Sequence, residues 1–175
     1  MNTETWIGLI VFIFIIIIVI IAILVLTLEV TKKYTIQNVG TEKFLVIKNT
    51  TVNGVTANYL AADGDASDAT AVWLMPNNSL NNLQNTLQNA QTGGLIRFAS
   101  TVTGTPVTVT ADGTIRWLSL VQSEGETQIF FQTVDDVDFF IQANTDKDNT
   151  CELINKTIDK DAITNFAEFI FAQVN

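Results

Sequence analysis

The sequence divides into one continuous apolar stretch near its start and a longer part in which apolar and polar residues alternate. From Trp6 to Leu28 no residue is charged, and Ile, Leu, Val and Phe make up most of the positions. A helix over these residues is about 34 Å long, which is enough to cross the roughly 30 Å hydrocarbon core of a bilayer. Trp6 and Tyr34 flank the stretch, as aromatic residues at headgroup level do. The pattern predicts one transmembrane helix over residues 6–28.

Two other segment types contain a similar apolar stretch, namely a cleaved signal peptide and the N-terminal helix of a pilin. Both are preceded by basic residues, and a signal peptide also has a shorter apolar region and a small-residue cleavage site. Residues 1–5 contain no Lys or Arg, so we expect a short tail followed by a permanent anchor. A pilin-like filament subunit is kept as a further alternative.

The residues after the apolar stretch bear on how the chain is oriented. Lys32 and Lys33 lie in an expected juxtamembrane linker, residues 29–33, and are the only basic residues near the helix. Because cytoplasmic flanks are enriched in Lys and Arg, these lysines favour a domain on the cytoplasmic side. The linker is so short that the domain, residues 34–175, is expected to lie almost on the lipid surface.

The sequence of the domain has the alternating pattern that is typical of strands and turns, and it contains an internal repeat. Val, Thr, Ile and Phe alternate with polar residues in short segments separated by Gly, Asn and Asp. The segment Tyr34–Thr41 matches Asn85–Thr92, and a weaker third copy begins at Phe131–Val134 and continues into Phe139–Ile141. Each copy ends on an aromatic residue: Trp73, Trp117 and Phe169.

Three strand-rich copies of about 45 residues, each ending on an aromatic residue, resemble a β-trefoil of the ricin-B-like type. The resemblance extends from Tyr34 to the C-terminus and implies an all-β soluble domain behind the N-terminal transmembrane helix. One copy cannot bury its own apolar face, so the three are expected to share a core. A sandwich or jelly roll is the alternative fold. The expected core residues are Ile36, Phe44, Trp73, Leu87, Leu95, Trp117, Phe131, Phe139 and Phe169.

The resemblance also implies sugar binding as the usual activity of such domains. Members commonly end each repeat with a Gln-x-Trp motif, but here the positions two residues before the closing aromatics are Ala71, Ile115 and Ala167. This departure weighs against lectin activity. We therefore interpret Trp73 and Trp117 first as core residues, and keep them as candidate contacts for a carbohydrate or a protein partner.

Composition excludes several classes of function. The formal net charge is −9, so the surface repels phosphate backbones and nucleic-acid binding is not expected. The chain has no histidine, which removes the commonest general base and metal ligand. Its one cysteine, Cys151, can form no internal disulfide and has no His partner. No nucleophile or cofactor motif is present, so we predict neither an enzyme nor a bound cofactor.

Three acidic segments are candidates for a metal site or a catalytic carboxylate pair. Asn144–Asp148 places oxygen ligands at alternate positions, as a calcium loop does, but Asn149 and Asn155 stand where that loop needs Gly and Glu. Asp63–Asp68 is incomplete in the same way, so solvated turns are the better interpretation of both. The third segment, Asp135–Asp138, is expected in an exposed turn and is read as surface charge, not as a catalytic carboxylate pair.

An anchor without catalytic residues behind it suggests that placement at a membrane is part of the function. We therefore predict a non-enzymatic structural or assembly protein with protein partners, such as a virion membrane or minor capsid protein that links a membrane to a shell. The alternative is a membrane-tethered, lectin-like module that binds carbohydrate.

Overall fold

The computed structural model describes residues 12–19, 31–75, 86–111, 119–123, 125–132, 138–155 and 165–174, without the side chains of residues 119–123, 130–132 and 138. The chain forms two compact units, Met1–Val30 and Thr31–Asn175.

In the first unit, residues 12–19 are helical and their side chains are exposed. Among the described residues, no helix is long and apolar enough to span a bilayer. The other positions of the predicted anchor, residues 6–11 and 20–28, lie outside the described residues, as do residues 1–5 and 29–30. The transmembrane helix therefore stays a prediction from the sequence.

The second unit is built from strands joined by short turns, with 3₁₀ turns at Thr145–Lys147 and Asn165–Ala167. The described strands are β1 Lys32–Asn38, β2 Phe44–Val52, β3 Val55–Gly64, β4 Val72–Met75, β5 Gln88–Asn89, β6 Leu95–Phe98, β7 Val107–Thr110, β8 Ser119–Ser123, β9 Glu126–Gln132, β10 Asp138–Asn144, β11 Thr150–Asn155 and β12 Glu168–Val174. Strand β1 already includes Lys32 and Lys33, the two residues assigned from the sequence to a linker.

One antiparallel pairing scheme recurs three times along the sheet. In each group of four strands (β1–β4, β5–β8 and β9–β12, called repeats 1, 2 and 3) the first strand pairs with the second and the second with the third. The fourth strand of each repeat pairs with the first strand of the next, as β4–β5, β8–β9 and β12–β1. The last of these joins the two ends of the domain, so the repeats form a ring.

All three repeats contribute to one core. Of the expected core residues, Ile36, Trp73, Leu87, Phe139 and Phe169 are buried, each at most 5% exposed. Trp117 and the Phe131 side chain lie outside the described part of the structure.

Two of the core assignments were wrong. Phe44 and Leu95, the first residues of β2 and β6, are only partly buried, and the core positions belong to Leu45 and Ile96 beside them. Side chains of a strand alternate between its two faces, so an error of one residue in phase exchanges core and surface. The error is the same in both repeats, because the two strands begin in the same way.

The turns that open repeats 1 and 2 have the same hydrogen bonds. Asn38 donates from Nδ2 to the carbonyl oxygens of Phe166 and Glu168, at 2.8 and 3.2 Å, and its Oδ1 accepts from the Thr41 amide. The side chain is fully buried. It therefore connects the turn after β1 to the end of repeat 3.

Asn89 has the equivalent role between repeats 1 and 2. Its Nδ2 donates to the carbonyl oxygens of Thr70 and Val72, at 2.8 and 3.4 Å, and its Oδ1 accepts from the Thr92 amide. Asn38 lies opposite Phe169 in the sheet as Asn89 lies opposite Trp73, so each asparagine faces a closing aromatic. The alignment of the first two copies is thereby confirmed at the level of individual atoms.

We predict that Asn89→Ala lowers the free energy of unfolding by about 2–3 kcal/mol, because it leaves buried backbone groups without partners. Asn58→Ala is the matched control. It removes a side-chain amide hydrogen bond of similar length, 2.8 Å to Asn49, but this pair is exposed. The substitution should therefore cost no more than about 0.5 kcal/mol. Denaturant titration of the detergent-solubilised chain measures both values. Equal losses would contradict the proposed role of the buried amide.

Candidate functional site

A shallow groove of about 310 Å³ lies beside the opening turn of repeat 2 and is called the loop groove. Its lining contains hydroxyl and amide groups beside small apolar residues: Asn58, Thr92, Gly94, Val109, Thr110 and Ala111. None of these side chains is charged, so the groove suits a neutral polar ligand.

The comparison with repeat 1 explains why this groove is open. Lys43 precedes β2 as Gly94 precedes β6, and Asp65 follows β3 as Ala111 follows β7. In repeat 1 the Lys43 ammonium group lies 3.3 Å from the Asp65 carboxylate. Repeat 2 has Gly and Ala at these two positions, so the same backbone leaves a concave surface.

Several groups of the loop groove are fixed in place by the fold. The Thr92 hydroxyl donates to Asn89 Oδ1 at 3.3 Å and accepts from the Gly94 amide at 3.2 Å. A Cβ atom on Gly94 would lie 2.7 Å from Val109 Cγ1, so a larger residue there would disturb the floor of the groove. Asn58 accepts from Asn49 through Oδ1, which leaves its amino group without a partner among the described residues.

A second concave surface, of about 320 Å³, lies where the tip of the β2–β3 hairpin meets the β10–β11 turn, and is called the tip groove. Its lining residues are Thr50, Thr51, Val52, Asn53, Asp146, Lys147, Asp148 and Thr150. The backbone of Asp148 is left-handed, with φ of 52°, a conformation that Asp and Asn adopt more readily than most residues. This conformation ends the 3₁₀ turn and reverses the chain into β11.

The tip groove is acidic because its lysines are already paired. Lys147 Nζ lies 2.9 Å from Glu152 Oε2, and Lys48 Nζ, beside the groove, lies 2.7 Å from Asp63 Oδ2. The Asp148 side chain is 78% exposed and lies 3.8 Å from the same Lys48. In and beside the groove, two lysines are therefore outnumbered by four carboxylates when the exposed Asp146 is included, so the local charge is negative.

The structure places Trp73 in the core and not at a binding surface. The residue is fully buried, and its indole N–H donates to the Leu45 carbonyl oxygen at 2.9 Å. With no exposed ring face, Trp73 is unavailable as a stacking platform. Trp117 lies outside the described residues. Ala71 and Ala167, two of the positions where the sugar-binding motif has Gln, are also fully buried.

The two described acidic segments form turns. Asn144 Oδ1 accepts from the Asp146 amide at 3.0 Å, and Asp68 Oδ2 accepts from the Asp65 amide at 2.8 Å. Among the described residues, no group of three His, Cys, Asp or Glu side chains could hold a metal ion. Asp135 and Asp136 lie outside the described part of the chain, as does the Asp138 side chain.

Cys151 has the environment of a structural residue. It is fully buried, and this burial is the main reason why the pKa of its thiol is raised well above the ordinary value. The thiolate is the reactive form of cysteine, so a thiol that stays protonated is a poor nucleophile.

Sequence reasoning missed both grooves. The loop groove could have been suspected from the sequence. When the first two copies are aligned, Lys43 corresponds to Gly94 at the end of turns that otherwise match. The tip groove had none, since it joins residues from repeats 1 and 3 that are about a hundred positions apart in the chain.

Comparison with known proteins identifies the fold but not a family. No protein-family model matches the chain, and no curated protein matches it by sequence. Among solved structures, the Rhizoctonia solani agglutinin matches with a TM-score of 0.61 and 17% identity, over 82% of this chain and 96% of that chain. A Macrolepiota procera ricin B-like lectin, solved in complex with lactose, matches with a TM-score of 0.58 and 13% identity over the same shares. The chain thus contains a mostly-β domain with the ricin-B-like β-trefoil fold, as the repeats predicted.

We predict that Trp73→Phe lowers the free energy of unfolding by about 2–4 kcal/mol, because it leaves the buried Leu45 carbonyl unpaired and a void beside the smaller ring. Tyr59→Phe is the control. It also removes one donor, the hydroxyl that bonds the Val55 carbonyl at 2.9 Å, but the acceptor belongs to a residue that is 60% exposed near the hairpin tip. Its cost should stay below about 1 kcal/mol. Denaturant titration measures both, and a Trp73→Phe protein as stable as the parent would contradict the core assignment.

Proposed function

We propose that this chain is a carbohydrate-binding, lectin-like module attached to a membrane by its predicted N-terminal helix. The printed names of its two structural neighbours, an agglutinin and a lactose-bound lectin, describe carbohydrate-binding proteins with the same fold. Fold alone does not specify function, so the proposal must be argued from a site. That site is the loop groove.

The observation that carries the proposal is the difference between two equivalent places on the domain. Repeats 1 and 2 share the hydrogen bonds of their opening turns, yet repeat 1 has an ion pair of Lys43 and Asp65 where repeat 2 has Gly94 and Ala111, which line the loop groove. The groove of repeat 2 has polar groups held in fixed positions beside the exposed methyl group of Ala111. A sugar needs this combination, because its hydroxyl groups form hydrogen bonds while its C–H face packs on apolar atoms.

The volume of the loop groove suits a small ligand. A volume of about 310 Å³ is at the lower end of the range for small-molecule sites. We therefore expect one sugar ring in the groove and a modest affinity for a single site. Trp73 takes no part, since it is buried in the core.

We propose that the module acts by binding alone, without catalysis and without a cofactor. The buried thiol of Cys151 and the exposed carboxylates of Asp146 and Asp148 support this view, since none has the environment of a catalytic group. The net charge of −9 similarly supports ligands other than nucleic acid.

The assembly hypothesis is the weaker of the two that the sequence left open. No feature of the described residues favours a virion membrane protein, a minor capsid protein or a pilin-like subunit. The structural neighbours are lectins, and they favour the carbohydrate-binding alternative. Protein partners of an assembly therefore have no supporting observation.

We further propose that the domain faces outward, against the side that the lysines alone favoured. Lys32 and Lys33 belong to β1, where their backbones pair with Met75 and Leu74, so they are part of the domain and not of a separate juxtamembrane linker. Protease treatment of sealed, right-side-out vesicles or cells tests the orientation. We expect digestion of the domain without permeabilisation; protection until detergent is added would show a cytoplasmic domain.

The binding site is tested with the full-length chain in detergent on a glycan array, followed by titration of the glycans bound. Ala111→Asp should reduce affinity at least about tenfold, because it places an unpaired carboxylate in the groove. Asn58→Ala should reduce it about fivefold through loss of one hydrogen bond. Ala66→Asp is the matched control, with the same change of charge at an exposed turn residue outside the groove, and should leave affinity unchanged.

Two results would count against these claims. If the folded chain binds no glycan on a broad array, carbohydrate binding is wrong. If it binds glycans and Ala111→Asp has no more effect than Ala66→Asp, the function stands but the loop groove is not its site.

A further inference from the structure

We propose that Asn49, which is not a lining residue of the loop groove, determines the kind of hydrogen bond that the groove offers to a sugar. By holding the Oδ1 atom of Asn58, it leaves the Asn58 amino group as the end of the amide that a ligand can use. The groove then selects a sugar hydroxyl that acts as an acceptor at this point. The inference rests on the carbohydrate-binding function proposed above, and assigns a positioning residue to the same site.

Asn49 and Asn58 lie directly opposite each other on strands β2 and β3. Side chains at opposite positions stand on the same face of a sheet and are close enough to interact. The Asn49 Nδ2 atom donates to Asn58 Oδ1 at 2.8 Å. Because Asn58 lines the loop groove, Asn49 supports a ligand-contacting side chain from the neighbouring strand without itself touching the ligand.

The two ends of the Asn58 amide have opposite capabilities, since the oxygen only accepts hydrogen bonds and the nitrogen only donates them. The next residues on the same face of β3 are Thr56 and Leu60. The Thr56 hydroxyl is bonded to the Thr51 hydroxyl at 2.7 Å, and Leu60 is apolar and fully buried. Among the described contacts, the bond from Asn49 therefore decides which end of the Asn58 amide is left for a ligand.

A second polar group of the loop groove also has a fixed direction. The Thr92 hydroxyl donates its proton to Asn89 Oδ1, so it can only accept a hydrogen bond from a ligand. The groove thus offers a donor at Asn58 and an acceptor at Thr92. A sugar hydroxyl can take either role, whereas a substituent that only accepts should be tolerated beside Asn58 and not beside Thr92.

Fluorinated sugars test the direction of the bond to Asn58, because a C–F group accepts hydrogen bonds weakly and donates none. The probes are the methyl glycosides of galactose, glucose, mannose, N-acetylglucosamine and N-acetylgalactosamine, titrated against the full-length chain in detergent. In the glycoside that binds best, each hydroxyl is replaced in turn by hydrogen and by fluorine. At the hydroxyl that contacts Asn58, we expect the deoxy sugar to bind about fivefold more weakly and the deoxyfluoro sugar only about twofold more weakly. Asn58→Ala should remove this difference and so identify the position.

Asn49→Asp should reverse the Asn58 amide, because a carboxylate only accepts and forms a stronger, charge-assisted bond with the amino group. The unmodified sugar should still bind within about twofold, since its hydroxyl can donate to Asn58 Oδ1 instead. The deoxyfluoro sugar should now bind as weakly as the deoxy sugar, about fivefold below the unmodified one. Asn53→Asp is the matched control. It makes the same chemical change at an exposed hairpin residue outside the loop groove, and should keep the pattern of the parent chain.

Three results would overturn the role of Asn49. They are a parent chain in which no hydroxyl position distinguishes fluorine from hydrogen, an Asn49→Asp chain that keeps the parent pattern, and a loss of affinity in Asn49→Asp that is the same for all three sugars. The last result would indicate a merely structural role. The loop groove would survive each of them, because Ala111→Asp tests it independently. If none of the methyl glycosides binds the folded chain, the one-ring site proposed above is wrong, and this inference falls with it.

Discussion

A buried asparagine holds the joint between repeats 3 and 1, and another holds the joint between repeats 1 and 2. Asn38 and Asn89 each donate to two carbonyl oxygens at the end of the preceding repeat, while their Oδ1 atoms fix the turn that follows. A buried amide that satisfies so many backbone groups permits little variation in the main chain around it. The backbone of the two turns is therefore the same, and their side chains are free to differ.

That freedom is where function can arise. At equivalent positions the chain has Lys43 and Asp65 in one repeat, and Gly94 and Ala111 in the other. Neither pair is needed to hold the turn, because the asparagine already does so. Two turns held by the same hydrogen bonds can thus present different surfaces, one with an exposed ion pair and one with a groove.

The proposed loop-groove site would bind a sugar weakly, and attachment to a membrane would compensate for this. Modules held on one surface meet a polymeric or surface-displayed glycan many at a time, so total avidity can exceed the affinity of each site by a large factor. The predicted anchor and the proposed weak sites are then parts of the same function.

The sequence by itself determined the apolar stretch of Trp6–Leu28, the threefold repeat and the all-β character, because each is written in local periodicity. It could not determine the phase of a strand at its first residue, so Phe44 and Leu95 were placed in the core where Leu45 and Ile96 lie. Nor could it decide that Trp73 is inaccessible, or that hairpin and turn residues of repeats 1 and 3 form one groove. Those properties depend on which distant segments meet, and only the packed repeats decide that.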